Sequence, residues 1–288
     1  MTPASPWRDA WRRLTQHRMA LVCGVLFLGI ALACFAGPTI LGALFGLEGR
    51  AQDVALGAAP PSWAHPMGTD VLGRDLLVRT LQGGSIAIRI GLFATAVALL
   101  IGVTWGAIAG YAGGRLDAAM MRFVDILYAL PSTLFVIVVM ALVSSKSELL
   151  LFGLLGAISW PTMSRIVRGQ VMSLRHRDYV EAARAIGATT ARILVRHVLP
   201  GAAGPIIVYA TLLVPTVMLQ EAFLSFLGLG VQAPDASWGT LVAEGSKQIA
   251  VYPWILVGPG LVMAVTIFAL NFLGDGLRDA LDPQSRGV

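Results

Sequence analysis

The sequence predicts an all-α polytopic membrane protein with six transmembrane helices, and three observations carry that expectation. Of its 288 residues 56% are hydrophobic and only 13% charged, whereas soluble domains carry about a quarter charged residues. The apolar residues gather into six runs, near 20–42, 86–111, 120–143, 149–167, 203–227 and 252–274, and about 20 such residues cross a bilayer as a helix. The basic residues gather in particular connections rather than spreading evenly, the pattern that membrane insertion leaves. The same placement argues against a nucleic-acid partner, because these groups lie beside membrane segments whose topology explains them.

Ahead of the first run, Arg8, Arg12, Arg13 and Arg18 against Asp9 imitate the charged start of a secretory signal. The run from Met19 to Leu44 is too long for a signal core and no clear small-residue cleavage site follows, so a retained first helix is expected. Cys23 and Cys34 both fall inside it and form neither a disulfide framework nor a metal set. Residues 45–85 read as a long connection, loop-like through Pro60-Pro61 and amphipathic where it returns to the membrane.

In the second run, Gly102, Gly106 and Gly110 have the small-xxx-small spacing that lets two helices pack closely. The third run reads as one helix, with Arg122 and Asp125 three apart as a surface ion pair. Pro161 interrupts the fourth, and Arg165 follows closely. The fifth carries Pro205, Pro215 and Glu221, so it is expected to be kinked or to line a cavity. Glu221 must face protein or water at that depth; it either lines an external gate or bonds a freed backbone group. Residues 228–251, with Gly228, Gly230, Pro234, Trp238 and Gly239, suit a short segment folded back at the interface. In the sixth run, Asn271 is expected to hydrogen-bond another helix. Asp275, Arg278 and Asp279 are expected to pair along its surface.

Charge orients the chain. Between the fourth and fifth runs lie seven arginines, at 165, 168, 175, 177, 184, 192 and 196, against Asp178 and Glu181. In 48–85, Glu48, Asp53, Asp70 and Asp75 outnumber Arg50, Arg74 and Arg79. The positive-inside rule then puts both termini and the arginine-rich loop in the cytoplasm.

That loop contains the longest polar stretch, DYVEAARAIGATTARILVRHVLP from Asp178 to Pro200. Asp178 is expected to cap a helix through Ile186, with Glu181 closing a capping box. Gly187 supplies a left-handed turn, Thr189 caps a second helix through Leu199, and Pro200 opens the next membrane helix. Both short helices must dock on something to persist.

Glu181-Ala182-Ala183, then Gly187, then Leu199-Pro200, resemble the EAA loop of ABC importer permeases, with His197 departing from the apolar pattern. The resemblance extends outward. The segments from His65 to Asp75, from Leu224 to Gly230 with Ser237-Trp238-Gly239, and from Asn271 to Pro283 are similar to signatures of the dipeptide, oligopeptide and nickel subfamily, C-subunit type. The resemblance implies a type I importer permease fold in a bacterial inner membrane. Residues 1–85 would add a helix and external segment to a five-helix core, 86–288, with a coupling loop at 175–200. Implied partners are a homologous second permease, two ATP-binding cassette subunits and an extracytoplasmic solute-binding protein. Coupling to the ATPases would use Glu181, Ala182, Ala183, Ile186, Gly187, Leu199 and Pro200, although Glu181 also reads simply as a cap. Glu221, Ser225 and Asn271 are candidates for the pathway or gate.

No cofactor is expected on this chain itself, ATP and Mg being used by the ATPase partners. The only lysines, Lys146 and Lys247, each follow a serine, so no Walker A loop is present, and His17, His65, His176 and His197 lack metal-ligand spacing. No nucleophile–base set stands out, which argues against an enzyme. A stand-alone secondary transporter or channel is the competing reading, and it would need an ion site for which only Glu221 and Asn271 offer themselves. Dipeptides, oligopeptides, glutathione and nickel complexes all stay open as substrates.

Overall fold

A computed structural model describes residues 6–143 and 147–281, and these are helical with connecting loops. Asp282 and Pro283, the end of the C-terminal signature, lie outside the described residues, as does Lys146. Helix α1 (Pro6–Gln16) precedes α2 (Arg18–Phe45). After a long connection come α3 (Leu76–Ala112), α4 (Gly114–Ala129), α5 (Ser132–Leu142) and α6 (Glu148–Leu174). Then follow α7 (Asp178–Ala185), α8 (Thr190–Ile193), a π turn (Leu194–Val198), α9 (Leu199–Phe226), α10 (Trp238–Ser246) and α11 (Trp254–Leu281). Among the described residues, five helical stretches are long and apolar enough to cross a membrane: α2, α3, α6, the run from Thr190 to Phe226, and α11. The bent pair α4–α5 makes a sixth if counted as one span.

The second and third spans differ from the sequence reading. The third is broken, with α4 and α5 meeting at 72°. Leu130 and Pro131 lie between them, and proline pushes the preceding residue out of the helical region. The second starts ten residues before 86, at Leu76, because Asp75 caps it: its Oδ1 accepts from the Val78 N–H at 2.8 Å. At 1.5 Å per residue α3 is about 55 Å long, far more than a bilayer core, so part of it must stand outside the hydrocarbon.

The core is the parallel pair α3 and α6. A methyl group on Gly102, Gly106 or Gly110 would run into the backbone of Trp160, Ser164 or Arg168. The contacts therefore advance four residues on each helix together, and the glycine spacing does bring two backbones into contact. Around this pair, Ile90, Ala94, Ala98, Leu151, Leu155, Val217 and Leu224 form one apolar cluster. Helix α2 packs on α3 and α11 along one edge, burying Ala20, Cys23 and Cys34, while Val22, Val25, Leu28 and Leu32 stay exposed for lipid.

At these helices, charged pairs tie one helix to another rather than running along one. Asp125 pairs with Arg165 of α6 at 2.6 Å, not with Arg122, and Arg165 also lies over the Tyr128 ring. Asp117 is gripped by Arg168 through two bonds of 2.5 and 2.6 Å. Asp279, expected to pair within α11, lies 3.7 Å from His17 Nε2 instead. Asp125 lies on the side of α4 that meets α6, which spacing within one helix could not reveal.

Candidate coupling site

The segment after α6 builds an arm that stands off the span. The backbone of α7 ends in a Schellman motif: Ala188 N–H donates to Ala183 O at 3.1 Å and Gly187 N–H to Arg184 O at 3.0 Å. Gly187 supplies the required left-handed residue, with φ of 81°. The expected capping box is absent. Arg177 is the N-cap and Asp178 is already helical, so Glu181 pairs with Arg184 at 3.0 Å instead. Arg184 also donates to the Tyr111 hydroxyl at 3.4 Å; that bond, then the Glu181 charge, raises the guanidinium pKa. Arg175 donates to the Gly110 and Tyr111 carbonyls at 3.0 and 3.1 Å, holding the end of α3 beside the arm.

The second half of the arm is no separate helix. Thr189 caps it as expected, accepting from Arg192 N–H, but α8 runs through the π turn straight into α9. In regular helix, Pro200 would leave the Arg196 carbonyl without its bond and press its ring against it. The π turn absorbs that conflict, with the Leu199 N–H reaching back five residues to Leu194 O.

The arm has two faces. Val180 and Ala183 point inward among Val167, Val171, Ile193 and Val198. Ala183, expected on the docking face, is only 5% exposed, because positions three apart on a helix share a side. Ala182 and Ile186, four apart, share the other side, and Ile186 is 86% exposed. Glu181, Gly187 and Pro200 are exposed and Leu199 half-buried.

At the opposite end, Glu221 is 1% exposed. Its Oε1 accepts from Ser225 Oγ and Ser237 Oγ, each at 2.6 Å. It thus bonds neither a backbone group nor an open vestibule. Ser237 caps α10, and Trp238 Nε1 donates to Thr80 O of α3 at 2.7 Å, so the knot ties the fold-back segment to two spans. Asn271 stands apart from it and donates to Ile267 O of its own helix at 2.9 Å, not to another helix. One turn of α9 earlier, a cavity of about 550 Å³ opens between α5, α6 and α9, lined by Thr133, Leu155, Thr216, Gln220 and Phe223. Its polar groups on α9, Thr216 and Gln220, escaped sequence reading because nothing in the run marks which side of α9 faces the space.

Comparison with known proteins decides the family. Residues 102–287 match the model of the binding-protein-dependent transport system inner membrane component. The chain belongs to that family. Residues 5–55 of this permease match the N-terminal TM domain of oligopeptide transport permease C. It is 45% identical over 283 residues to the oligopeptide transport system permease protein OppC of Bacillus subtilis, covering 98% of this chain and 91% of that one. Against the dipeptide transport system permease protein DppC of the same organism it is 41% identical over 280 residues, covering 97% and 86%. Among solved structures, the inward-facing MetNI methionine ABC transporter has the same fold at 17% identity, with a TM-score of 0.50 over 72% of this chain and 96% of that one. The permease is accordingly an all-α, multi-pass inner-membrane subunit with the ABC importer fold.

Ahead of α3, the segment from His65 to Asp75 forms a charged knot. Asp70 Oδ2 accepts from Arg74 Nε at 2.7 Å and from an Arg79 terminal nitrogen at 2.5 Å, and that nitrogen also lies 3.2 Å from Glu244. His65 Nδ1 meets Asp75 Oδ2 at 2.8 Å. Asp70, Arg74, Asp75 and Arg79 are all buried. Turn and capping bonds from Asp70 and Asp75 shape this segment.

Proposed function

We propose that the chain is the C-type permease of an ATP-driven, binding-protein-dependent importer of peptides, oligopeptides before dipeptides, oriented with both termini cytoplasmic. It would assemble with a homologous permease, two ATP-binding cassette subunits that use ATP and Mg, and an extracytoplasmic binding protein. The observation that carries this reading is the apolar Ile186–Ala182 side, left uncovered by the chain on a short arm that is continuous with a membrane span. An exposed isoleucine at the tip of a rigid arm suits a partner cleft, and the unbroken helix from Thr190 to Phe226 would carry the partner's motion to the pathway. The test is purification of the tagged chain from its own membranes. An ATP-hydrolysing subunit is expected to come down with it, and import after reconstitution to need ATP and the binding protein. A chain that purifies alone and transports down an ion gradient would be a secondary carrier.

In this reading the pathway wall is the Thr216–Gln220 side of α9, and Glu221 with Ser225 is a tie that positions α10. Glu221→Gln keeps a carbonyl oxygen able to accept both serine hydroxyls, so yield and transport are expected to stay within a factor of about two to three of wild type, a change of roughly half a kcal/mol. Glu221→Leu strands both hydroxyls, at about 1–3 kcal/mol each, and membrane yield is expected to fall severalfold. Transport lost in Glu221→Gln at normal yield would instead make the charge itself part of a gate.

A further inference from the structure

Helix α1 has no part in the coupling arm or the pathway. Arg8, Trp11, Arg12 and Thr15 fall at i, i+3, i+4 and i+7, which places them on one helix face, and all four are exposed, Trp11 at 69%. On the other side, Leu14 and His17 are half-buried, and the helix packs against α2 and α11. His17 fixes the junction: its Nδ1 accepts from Ala20 N–H at 3.1 Å, capping α2.

Only His17 separates α1 from α2, and the apolar run of α2 starts at Met19, so the end of α1 lies at headgroup depth. Arginine beside tryptophan on one face of a short helix is the make-up of segments that lie in the membrane interface. We propose that this face binds anionic phospholipid headgroups, with Arg8 and Arg12 on the phosphates and Trp11 at the level of the glycerol groups. Arg18, exposed at the first position of α2, extends the basic strip, and Asp9 is the only acid in α1, so charge complementarity favours an anionic surface over a neutral one. That the lipids are those of the cytoplasmic leaflet rests on the orientation proposed above.

The test uses the intact complex carrying Thr15→Cys, labelled with a fluorophore in a background where Cys23 and Cys34 are alanine. It is reconstituted in phosphatidylcholine vesicles with and without phosphatidylglycerol. With phosphatidylglycerol, the probe is expected to be shielded from iodide and quenched by a headgroup nitroxide lipid, and high salt should reverse both. Each basic residue at an anionic surface is worth about a fivefold preference, so Arg8→Gln with Arg12→Gln should lower the docked-to-undocked ratio roughly thirtyfold, while lysine at both sites keeps most of it. Equal shielding in both lipids, or shielding that survives the glutamine pair, overturns the proposal; shielding that requires the ATPase would mean a protein partner instead. Vesicle lipids occupy both leaflets, so this result is independent of orientation. Labelling of the same cysteine in intact cells by an impermeant reagent would overturn the orientation alone.

Discussion

Ile186→Asp is expected to abolish import and the stimulation of ATP hydrolysis by loaded binding protein, while the permease stays folded in the membrane. The side chain is 86% exposed, so nothing in the chain is lost by replacing it. In a partner cleft the change forfeits about 1.5–3 kcal/mol of apolar burial and adds the several kcal/mol needed to desolvate a carboxylate. Together that exceeds a factor of a thousand in association. Gly187→Val should act through geometry instead: a β-branched residue resists a φ of 81°, breaks the Schellman turn and re-aims α7. Ala183→Trp, on the inward side, would disrupt the chain's own packing and separates nothing. Normal stimulation and import in both Ile186→Asp and Gly187→Val would remove the coupling role from this arm.

Asp70→Ala is expected to collapse the charged knot ahead of α3 and with it the yield of folded protein. Arg79 and Arg74 are buried against Asp70, and removing it leaves Arg74 without a carboxylate and Arg79 with only the more exposed Glu244, the kind of buried loss that costs about 3–5 kcal/mol. The Leu72 and Arg74 N–H groups also lose their acceptor, Asp70 Oδ1 at 2.9 and 3.1 Å. Replacing Asp70 and Arg79 together by leucine should recover part of the loss, since an apolar pair needs no compensation. Thermal unfolding of the solubilised chain, read by near-ultraviolet circular dichroism, checks this. A wild-type melting profile for Asp70→Ala would show the knot to be ornamental.

The spans were legible because a bilayer leaves few choices: a run such as 252–274 has to be helical and has to be apolar. Pro131 escaped because an average over 120–143 stays high whether or not the chain turns within it. Pro200 was legible as a helix start but not as a residue that an unbroken helix tolerates, since the π turn depends on where neighbouring carbonyls end up. The arm carries two apolar pairs, Val180 with Ala183 and Ala182 with Ile186, and sequence alone does not say which one the chain itself covers. Glu221 was legible as a residue that must avoid lipid; its partner Ser237 lies on a different helix cap, 16 residues on. The bond from Arg79 to Glu244 spans 165 residues, and no local pattern connects them.

The π turn at Leu194–Val198 has a further consequence. A single π turn holds one residue more than an α-helix uses over the same rise, so it shifts the angular phase of everything on its N-terminal side by about 100°, one residue's rotation. The compass bearing of α7 around the axis of α9 is therefore set by a residue count rather than by slack in a loop. Losing one residue between 194 and 198 would keep every contact type available and still swing the arm more than a quarter-turn away from where its partner waits.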